Sequence, residues 1–533
     1  MRGWLVGGLA ALLVLGSGAV AAPAGAAQSV LYRGNGAEPE TLDPHHSTGM
    51  TEFELEVELF EGLVQYGPAG EPVPGVADRW TVSDDGLTYR FHLRPVARWS
   101  NGDPVVGDDF VYAFRRALDP ATASSYAFIL FPIANAEAIT SGTAKPETLG
   151  IAAPDPHTVV ITLKAPTPYF LGLLTHHMAF PLHRATVEAN GDRWTRPGKL
   201  IGNGAYRLVR WVPQSEITLE RNERYWDAGT VKIDRVVFVD TEDQGAALRR
   251  YRAGELDVTY SLPIEQVEWV SRHLADELHT TPLLATRYFA FNLELPLFRD
   301  NLKLREALDL AIDRPTLTAQ VMRGGALPTD SWVPPGVGDR YAQQRPAWAD
   351  QDQARRDRQA QLLYAEAGFG PAKPARFELL YSTGENQRRV AIAVAGMWHQ
   401  VLGAEVSLRN EEWKVYLRSR AEKAFQVIYE GWIGDYNDAN TFLELMKSDI
   451  GDQNSAGYAN PAYDALMQRA ERTVDLDTRA ALMEQAERIM LADAPIIPLS
   501  NDVGRRLVKP WVSGWVDNVV DVHPTRYLAI APH

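Results

Sequence analysis

The sequence predicts a multidomain α/β protein, and three observations carry that class. The chain has 533 residues, more than one hydrophobic core usually organises, so two or more domains are expected. Its composition is globular, with 45% hydrophobic, 23% charged and 10% aromatic residues and no long biased tract. Its later part has a strand–helix–strand texture, which within one sheet implies parallel strands joined by a crossover helix.

In chain order, MRGWLVGGLAALLVLGSGAVAAPAGAAQS sets one Arg ahead of an apolar stretch and then small residues. Ala24-Gly25-Ala26 fits a cleavage site, which predicts a secretory signal peptide over residues 1–26. A membrane anchor over residues 4–22 is the competing reading, because that run is nearly long enough to span; its Gly and Ala content favours cleavage. Residues 51–66 (TEFELEVELFEGLVQY) carry Phe53, Val57, Phe60 and Val64 at helical spacing, with Glu54, Glu58 and Glu61 elsewhere on the wheel. TYRFHLRPVARWSNGDPV alternates as a strand and then reaches a Trp-Ser-Asn-Gly-Asp-Pro turn signal. DDFVYAFRRALDP reads as a short helix, acidic at its start as the helix dipole favours, with Pro120 just beyond. GNGAYRL, from Gly202, reads as a turn entering a strand.

Further on, RFELLYS places Phe377, Leu379 and Tyr381 at period two, and Val390, Val394, Met397, Trp398 and Val401 mark one helix face before the strand-like AEVSLRN. FQVIYEG is a further strand. It leads into GWIGDYNDANTFLELM, residues 431–446, where Asp435 stands among the aromatics Trp432 and Tyr436 ahead of a helix. A loop Asp is ordinarily solvated. Loops beyond the C-terminal ends of strands in open α/β sheets, however, are where ligands bind, which makes Asp435 a candidate site residue.

The net charge of -15 argues against nucleic acid or an anionic membrane surface as the main partner. With no cysteine, disulfides, thiolate chemistry, Cys-ligated metals and a lipid-modified Cys are excluded. A freely diffusing exported chain of this kind fits the periplasm. No H-E-x-x-H, G-x-S-x-G, Walker A or G-x-G-x-x-G pattern occurs. His45-His46 and His176-His177 are adjacent pairs that point in different directions on most backbones, so they read as packed or exposed side chains and not as metal ligands. Most of the 14 tryptophans are assigned to cores, though aromatics also make platforms for varied ligands. No cofactor, metal or catalytic residue is expected. Capture is expected, not chemistry.

DPHHSTGMTEFELEVELFEGL, GVADRW, YRFHLRPVARWSNGDPV, NGAYRL, ERNERYWD, RRYRAGELDVTY and RLVKPWVSGW together resemble family 5 extracellular solute-binding proteins. The similarity is greatest to the periplasmic oligopeptide-binding proteins that serve ATP-binding-cassette importers. These motifs span the mature chain in matching order. The resemblance implies a two-lobed, hinged periplasmic-binding-protein fold of the type II-like cluster C kind with an additional domain. Matched motifs put lobe I at about 28–60, 186–286 and 503–533, the additional domain at about 61–185, and lobe II at about 287–502.

The resemblance also implies that Asp435 binds a peptide's N-terminal ammonium. It implies that backbone around Gly49, Met50, Gly431 and Ile433 pairs with the peptide, and that Trp413, Trp432, Tyr126 and Tyr288 line the pocket. The physical reasoning agrees. A generalist can read only a charged N-terminus and a repeating backbone; one desolvated carboxylate fixes register and an added strand supplies the rest, while water-filled pockets tolerate varied side chains. There are departures. Tyr429 and Gln387 stand where peptide-binding relatives carry an Arg and a His for C-termini, while Arg420 is retained. Thr48 replaces a pocket Glu, and Asn501 a pocket Tyr. Ala285 and Ile433 occupy positions that some relatives bridge by a disulfide. The expected partners are a peptide and an inner-membrane permease with its ATPase subunits, the protein itself being a monomer. A specialised amine-bearing solute or a cell-wall peptide is the alternative ligand. A secreted hydrolase lacks any nucleophile–base motif. A signalling protein that never meets a transporter is the third possibility.

Overall fold

The structure, a computed structural model, describes residues 28–338 and 340–532, with the side chains of Trp413 and Lys414 outside that description. The signal-peptide segment lies outside the described residues. No helix among them is long and apolar enough to cross a membrane.

The first sheet runs in the order Val30–Gly36, Arg235–Asp240, Glu216–Arg221, Tyr206–Val212, with the first pair parallel and the others antiparallel. The strand expected after GNGAYRL is its last member. A second sheet is wholly antiparallel, in the order Ala77–Val82, Thr88–Leu93, Thr158–Thr162, Ile151–Asp155. In Thr88–Leu93 the period-two pattern buries Tyr89, Phe91 and Leu93 and turns Thr88, Arg90 and His92 outward. The helix Gly107–Leu118 buries Phe110, Phe114, Ala117 and Leu118 on one face. Asp109 caps it by accepting the Val106 N–H at 2.9 Å, and also takes the Trp99 indole N–H at 3.0 Å. These two sheets share one core, which includes Leu31, Phe91, Phe110, Tyr206 and Phe238.

The third sheet has six strands, ordered Leu327–Pro328, Ile496–Leu507, Leu278–Phe291, Val427–Ile433, Arg376–Ser382, Glu405–Glu411. The strand–helix–strand unit forms as the periodicity predicts. Arg376–Ser382 and Glu405–Glu411 are parallel, and the helix Glu385–Leu402 between them buries Val390, Val394 and Trp398 with Met397 and Val401 at the margin. Gly403, at φ 72°, ends that helix in the left-handed conformation glycine tolerates.

Two long strands, Leu278–Phe291 and Ile496–Leu507, join the halves. Leu507 belongs to a core with Tyr251 and Val270 beside the first sheet, whereas Phe289, Ile497 and Leu499 belong to a core with Trp398. The antiparallel register runs Leu278↔Leu507 to Pro282↔Val503, breaks, and resumes at Thr286↔Asn501. A ladder interrupted between two cores is a place where bending costs few hydrogen bonds.

One element departs from its sequence reading. The helix expected over 51–66 is Met50–Leu59; the chain then turns, and Val64–Tyr66 pairs with Pro72–Pro74. Its glutamates do not occupy a solvent face: Glu52, Glu54, Glu56, Glu58 and Glu61 are between 0% and 6% exposed. Glu54, Glu58 and Glu61 have partners supplied from far along the chain. Glu54 pairs with Arg506 at 2.6 Å and Arg33 at 3.5 Å; Glu58 pairs with Arg33 at 3.5 Å and accepts the Thr525 N–H at 2.7 Å. Glu61 accepts the Trp226 indole N–H at 2.7 Å and the Tyr225 hydroxyl. Glu56 accepts Ser47 Oγ–H at 3.0 Å, and burial pushes its carboxyl well above the usual range. Wheel patterning cannot separate a solvated acid from one buried against a distant arginine.

Candidate functional site

The strand Val427–Ile433 delivers the site. One edge is paired through its length with Leu278–Phe291, from Ala285↔Ile433 to Phe291↔Val427. The other edge meets Arg376–Ser382 only at Leu379↔Val427 and Leu380↔Ile428. Past Ile428 that edge has no strand partner among the described residues. Ile433 is 66% exposed and Gly431 is also exposed. A strand with a free edge is a template for an extended chain.

Asp435 follows two residues later. It is half-buried, its own N–H donates to Thr441 Oγ1 at 3.1 Å, and burial alone pushes its carboxyl up to about 6. No cation pairs with it among the described residues. Glu444 lies close behind, hydrogen-bonded by the Tyr436 hydroxyl at 3.2 Å and Asn440 Nδ2 at 2.9 Å, its carboxyl raised to about 7 by burial above all. Across the gap Tyr126 faces the Asp435 charge and stacks on His176 at 5.3 Å. This end is therefore acidic, partly dry and, among the described residues, without a counter-ion.

Along the strand Val427–Ile433 lies a basic cavity wall, and Asp435 is not among its residues. A cavity of about 690 Å³ is lined by Arg287, Arg323, Gln387, Arg420, Tyr429, Gly431, Trp432, Asp502 and Arg505 among others. Arg287 is held by Asp502 at 2.6 Å, and Arg420 by Glu430 and the Gln453 side chain. Arg323 and Arg505 line the same wall with no ion pair among the described residues. Sequence reading missed both, since no motif or periodicity marks them; the hinge strand brings Arg505, and the segment before Leu327–Pro328 brings Arg323. Trp432 Nε1 is sealed from solvent with no hydrogen-bond partner.

The remaining expected site residues are distributed as follows. Thr48 and Met50 are exposed and Gly49 is half-buried, at the start of the helix Met50–Leu59. Tyr288 does not line this cavity: it is 2% exposed and packs edge-to-face on Trp332 at 4.7 Å, because its position in the central strand turns it into a core. Asn501 is buried at the break in the hinge ladder, where Nδ2 donates to Thr286 Oγ1 at 2.9 Å and the Ala285 carbonyl at 3.3 Å. It lines a separate crevice of about 380 Å³ beside Leu327–Pro328. Trp413 opens the helix Trp413–Ala421, but its side chain is outside the description. Ala285 and Ile433 are cross-strand partners.

Of the histidine pairs, read as packed or exposed, His176, His177 and His45 are packed. Burial holds His177 down to about 4 and His45 to about 3, so both are neutral. His46 is exposed and contacts Asp43 at 3.0 Å. No cluster of three or more His, Cys, Asp or Glu suited to a metal occurs among the described residues.

A family model described as "Bacterial extracellular solute-binding proteins, family 5 Middle" matches residues 71–454. The chain belongs to the family 5 bacterial extracellular solute-binding proteins. It is 40% identical over 519 residues to the periplasmic oligopeptide-binding protein OppA of Salmonella typhimurium, covering 96% of this chain and 95% of the relative. Among solved structures it is similar to the unliganded open form of the periplasmic murein tripeptide binding protein MppA, with TM-score 0.86 and 38% identity, covering 95% of this chain and 98% of that one. It is also similar to Haemophilus influenzae OppA in complex with RPPGFSPFR, with TM-score 0.76 and 39% identity, covering 94% and 99%. Identity is nearly equal in the two structures while the superposition favours the unliganded one. In this chain Tyr169 and Tyr436, the neighbour of Asp435, stack at 4.6 Å with their planes 5° apart.

Proposed function

We propose that the protein is a periplasmic receptor that captures short peptides between its lobes and presents them, as a monomer and without chemistry, to an ATP-binding-cassette permease. Asp435 carries the reading: a half-buried carboxylate without a counter-ion among the described residues, at the end of a strand edge left open for pairing. A peptide's ammonium supplies the missing charge, and its backbone occupies the free edge of Gly431–Ile433. The division proposed is lobe I over about 28–60, 186–286 and 503–533, the additional domain over about 61–185, and lobe II over about 287–502. The register break between Pro282 and Thr286 supports the boundary near 286. Mass spectrometry of ligand co-purified with the protein tests the reading. Peptides should be recovered, and adding them should contract the scattering profile and raise Tm through linkage. A non-peptide ligand, with no response to peptides, would overturn it.

The unpaired Arg323 and Arg505 favour a ligand carrying carboxylate, and two of them suit a peptide with a second acid, as cell-wall peptides have. Because Glu430 already engages Arg420, Arg323→Ala should weaken free-acid peptides more than Arg420→Ala does. C-terminal amidation should abolish the difference, and equal losses for acid and amide in both variants would remove Arg323 from the site.

The Asp435 carboxyl sets a pH dependence. In the free protein it titrates at about 6, above the unfolded value, and a bound ammonium favours the charged form. Affinity should therefore be constant above pH 7 and fall by up to about tenfold per pH unit below 6, with proton uptake by the free protein opposing binding. Calorimetry in two buffers of different ionisation enthalpy reads the released proton. Asp435→Asn should flatten the profile; an unchanged profile in that variant would assign the titration elsewhere.

A further inference from the structure

The crevice of about 380 Å³ beside Leu327–Pro328 shares no lining residue with the cavity that holds Arg323 and Arg505, and it has three arginines of its own, Arg314, Arg345 and Arg356. Two of them are engaged. Arg314, 2% exposed, donates through Nε to the Pro498 carbonyl at 2.8 Å and through Nη2 to Asp309. Arg345 holds Asp330 through Nε at 2.9 Å and Nη2 at 3.1 Å, with Nη1 on Asp350 at 2.9 Å.

Arg356 is different. It stands near the start of the helix Gln353–Glu366 and is 7% exposed, yet its guanidinium has no ion pair and no hydrogen bond among the described residues. Its Nε is sealed from solvent without a partner. The Trp348 ring lies against it, 5.7 Å from the guanidinium carbon to the ring centroid, and Arg314 faces the same ring at 5.3 Å. Burial and the neighbouring Arg314 charge hold the Arg356 guanidinium below its usual range. The acids around it are occupied elsewhere: Asp309 by Arg314, Asp330 by Arg345, and Asp313 by the Thr316 N–H at 3.1 Å and hydroxyl at 2.6 Å. A buried charge without a partner is costly, and this one lies at the wall of a cavity with its donors unused.

The rest of the crevice suits a small organic acid. Leu327, Pro335 and Ala349 give it apolar walls, and Thr329 and Gln343 polar ones. One free guanidinium matches one planar carboxylate, two N–H donors to two oxygens. A phosphate would bring a second charge to a wall whose other arginines are already neutralised.

We propose that this crevice binds a small aliphatic carboxylate, with its oxygens on the Arg356 guanidinium and its carbon body against Leu327, Pro335 and Ala349. Asn501 closes the same crevice, and it pairs with Leu327 on one side and with Thr286 at the break in the hinge ladder on the other. The occupant therefore braces the edge strand Leu327–Pro328 against the hinge.

Propionate is the probe, titrated into the peptide-free protein with sodium chloride holding the ionic strength constant. Calorimetry should show saturable binding, and Tm should rise with propionate more than with acetate or phosphate. Arg356→Met should fold with a Tm at or above that of the wild type in the absence of the acid, since no carboxylate loses its partner. It should weaken propionate by about tenfold or more, the scale of a hydrogen bond to a charged group, and Arg356→Lys should recover part of that loss. Ala349→Leu, which fills the crevice and keeps the arginine, should also abolish the response and covers the case in which the first variant folds poorly. Arg323→Ala, in the other basic cavity, should leave propionate binding unchanged. The proposal is overturned if propionate gives no saturable response, or if the response survives both Arg356→Met and Ala349→Leu. It is overturned equally if Arg323→Ala removes the response, or if phosphate binds as well as propionate does.

Discussion

Asp435→Asn should fold as the wild type does and lose most of its peptide affinity. In the proposed binding mode the ammonium and the carboxylate are both removed from water on closure, so deleting one leaves the other charged and alone. Breaking such a pair costs roughly 3–5 kcal/mol, or about two to three and a half decades in Kd. A solvated loop pair would be worth only about 0–1 kcal/mol, and calorimetry separates the two. Stability should not suffer, because no cation pairs with this carboxylate among the described residues and burial already disfavours its charge. N-acetylating the peptide should cost the wild type a similar amount and the variant little more, as a double-mutant cycle requires of groups that meet. Additive losses would falsify the contact and return Asp435 to the solvated acids.

The second large effect concerns folding. Arg506→Ala should destabilise the protein by roughly 3–5 kcal/mol, a major part of the margin of most domains. Arg506 sits on the hinge strand, 4% exposed, paired with Glu54 at 2.6 Å and Asp521 at 2.9 Å. Burial opposes its charge, yet these two acids hold it well above its usual range; Asp521, which burial would raise, is drawn down to about 2 chiefly by Arg506. Removing the arginine leaves Glu54 with Arg33 at 3.5 Å and Asp521 with His523 at 3.0 Å as their remaining partners. The urea midpoint should fall with little change in slope. Combining Arg506→Met with Glu54→Gln should recover part of the loss, because a buried pair replaced as a whole costs far less than one half removed. A fall below about 1 kcal/mol for Arg506→Ala would mean that water reaches this cluster as it does at a surface.

What could be read in advance follows the range of the forces involved. The crossover unit 376–411 was legible because Phe377, Leu379, Val390, Val394 and Trp398 encode their burial in periods of two and 3.6. Asp435 was legible as a candidate because its strand and the following helix are local patterns. The helix Met50–Leu59 was misjudged in length and in its acidic face, since Arg33, Arg506, Thr525 and Trp226 lie from about twenty to more than four hundred residues away. Tyr288 was placed in a pocket although its strand turns it toward Trp332. Arg323 and Arg505 were missed entirely: an unpaired arginine is defined by partners it lacks in space.

By itself, then, the sequence determined the α/β class, the elements with strong periodicity, the absence of disulfide chemistry and the family motifs around Asp435. Those properties depend on residue type and short spacing. Only the tertiary structure decided which glutamates are buried, which arginines are already paired, where the two-strand ladder breaks between cores, and which edge of Val427–Ile433 stays open. Each of these depends on contacts between segments far apart in the chain, where the free energy of a charge or a backbone donor is set by its neighbours in space and not by its neighbours in sequence.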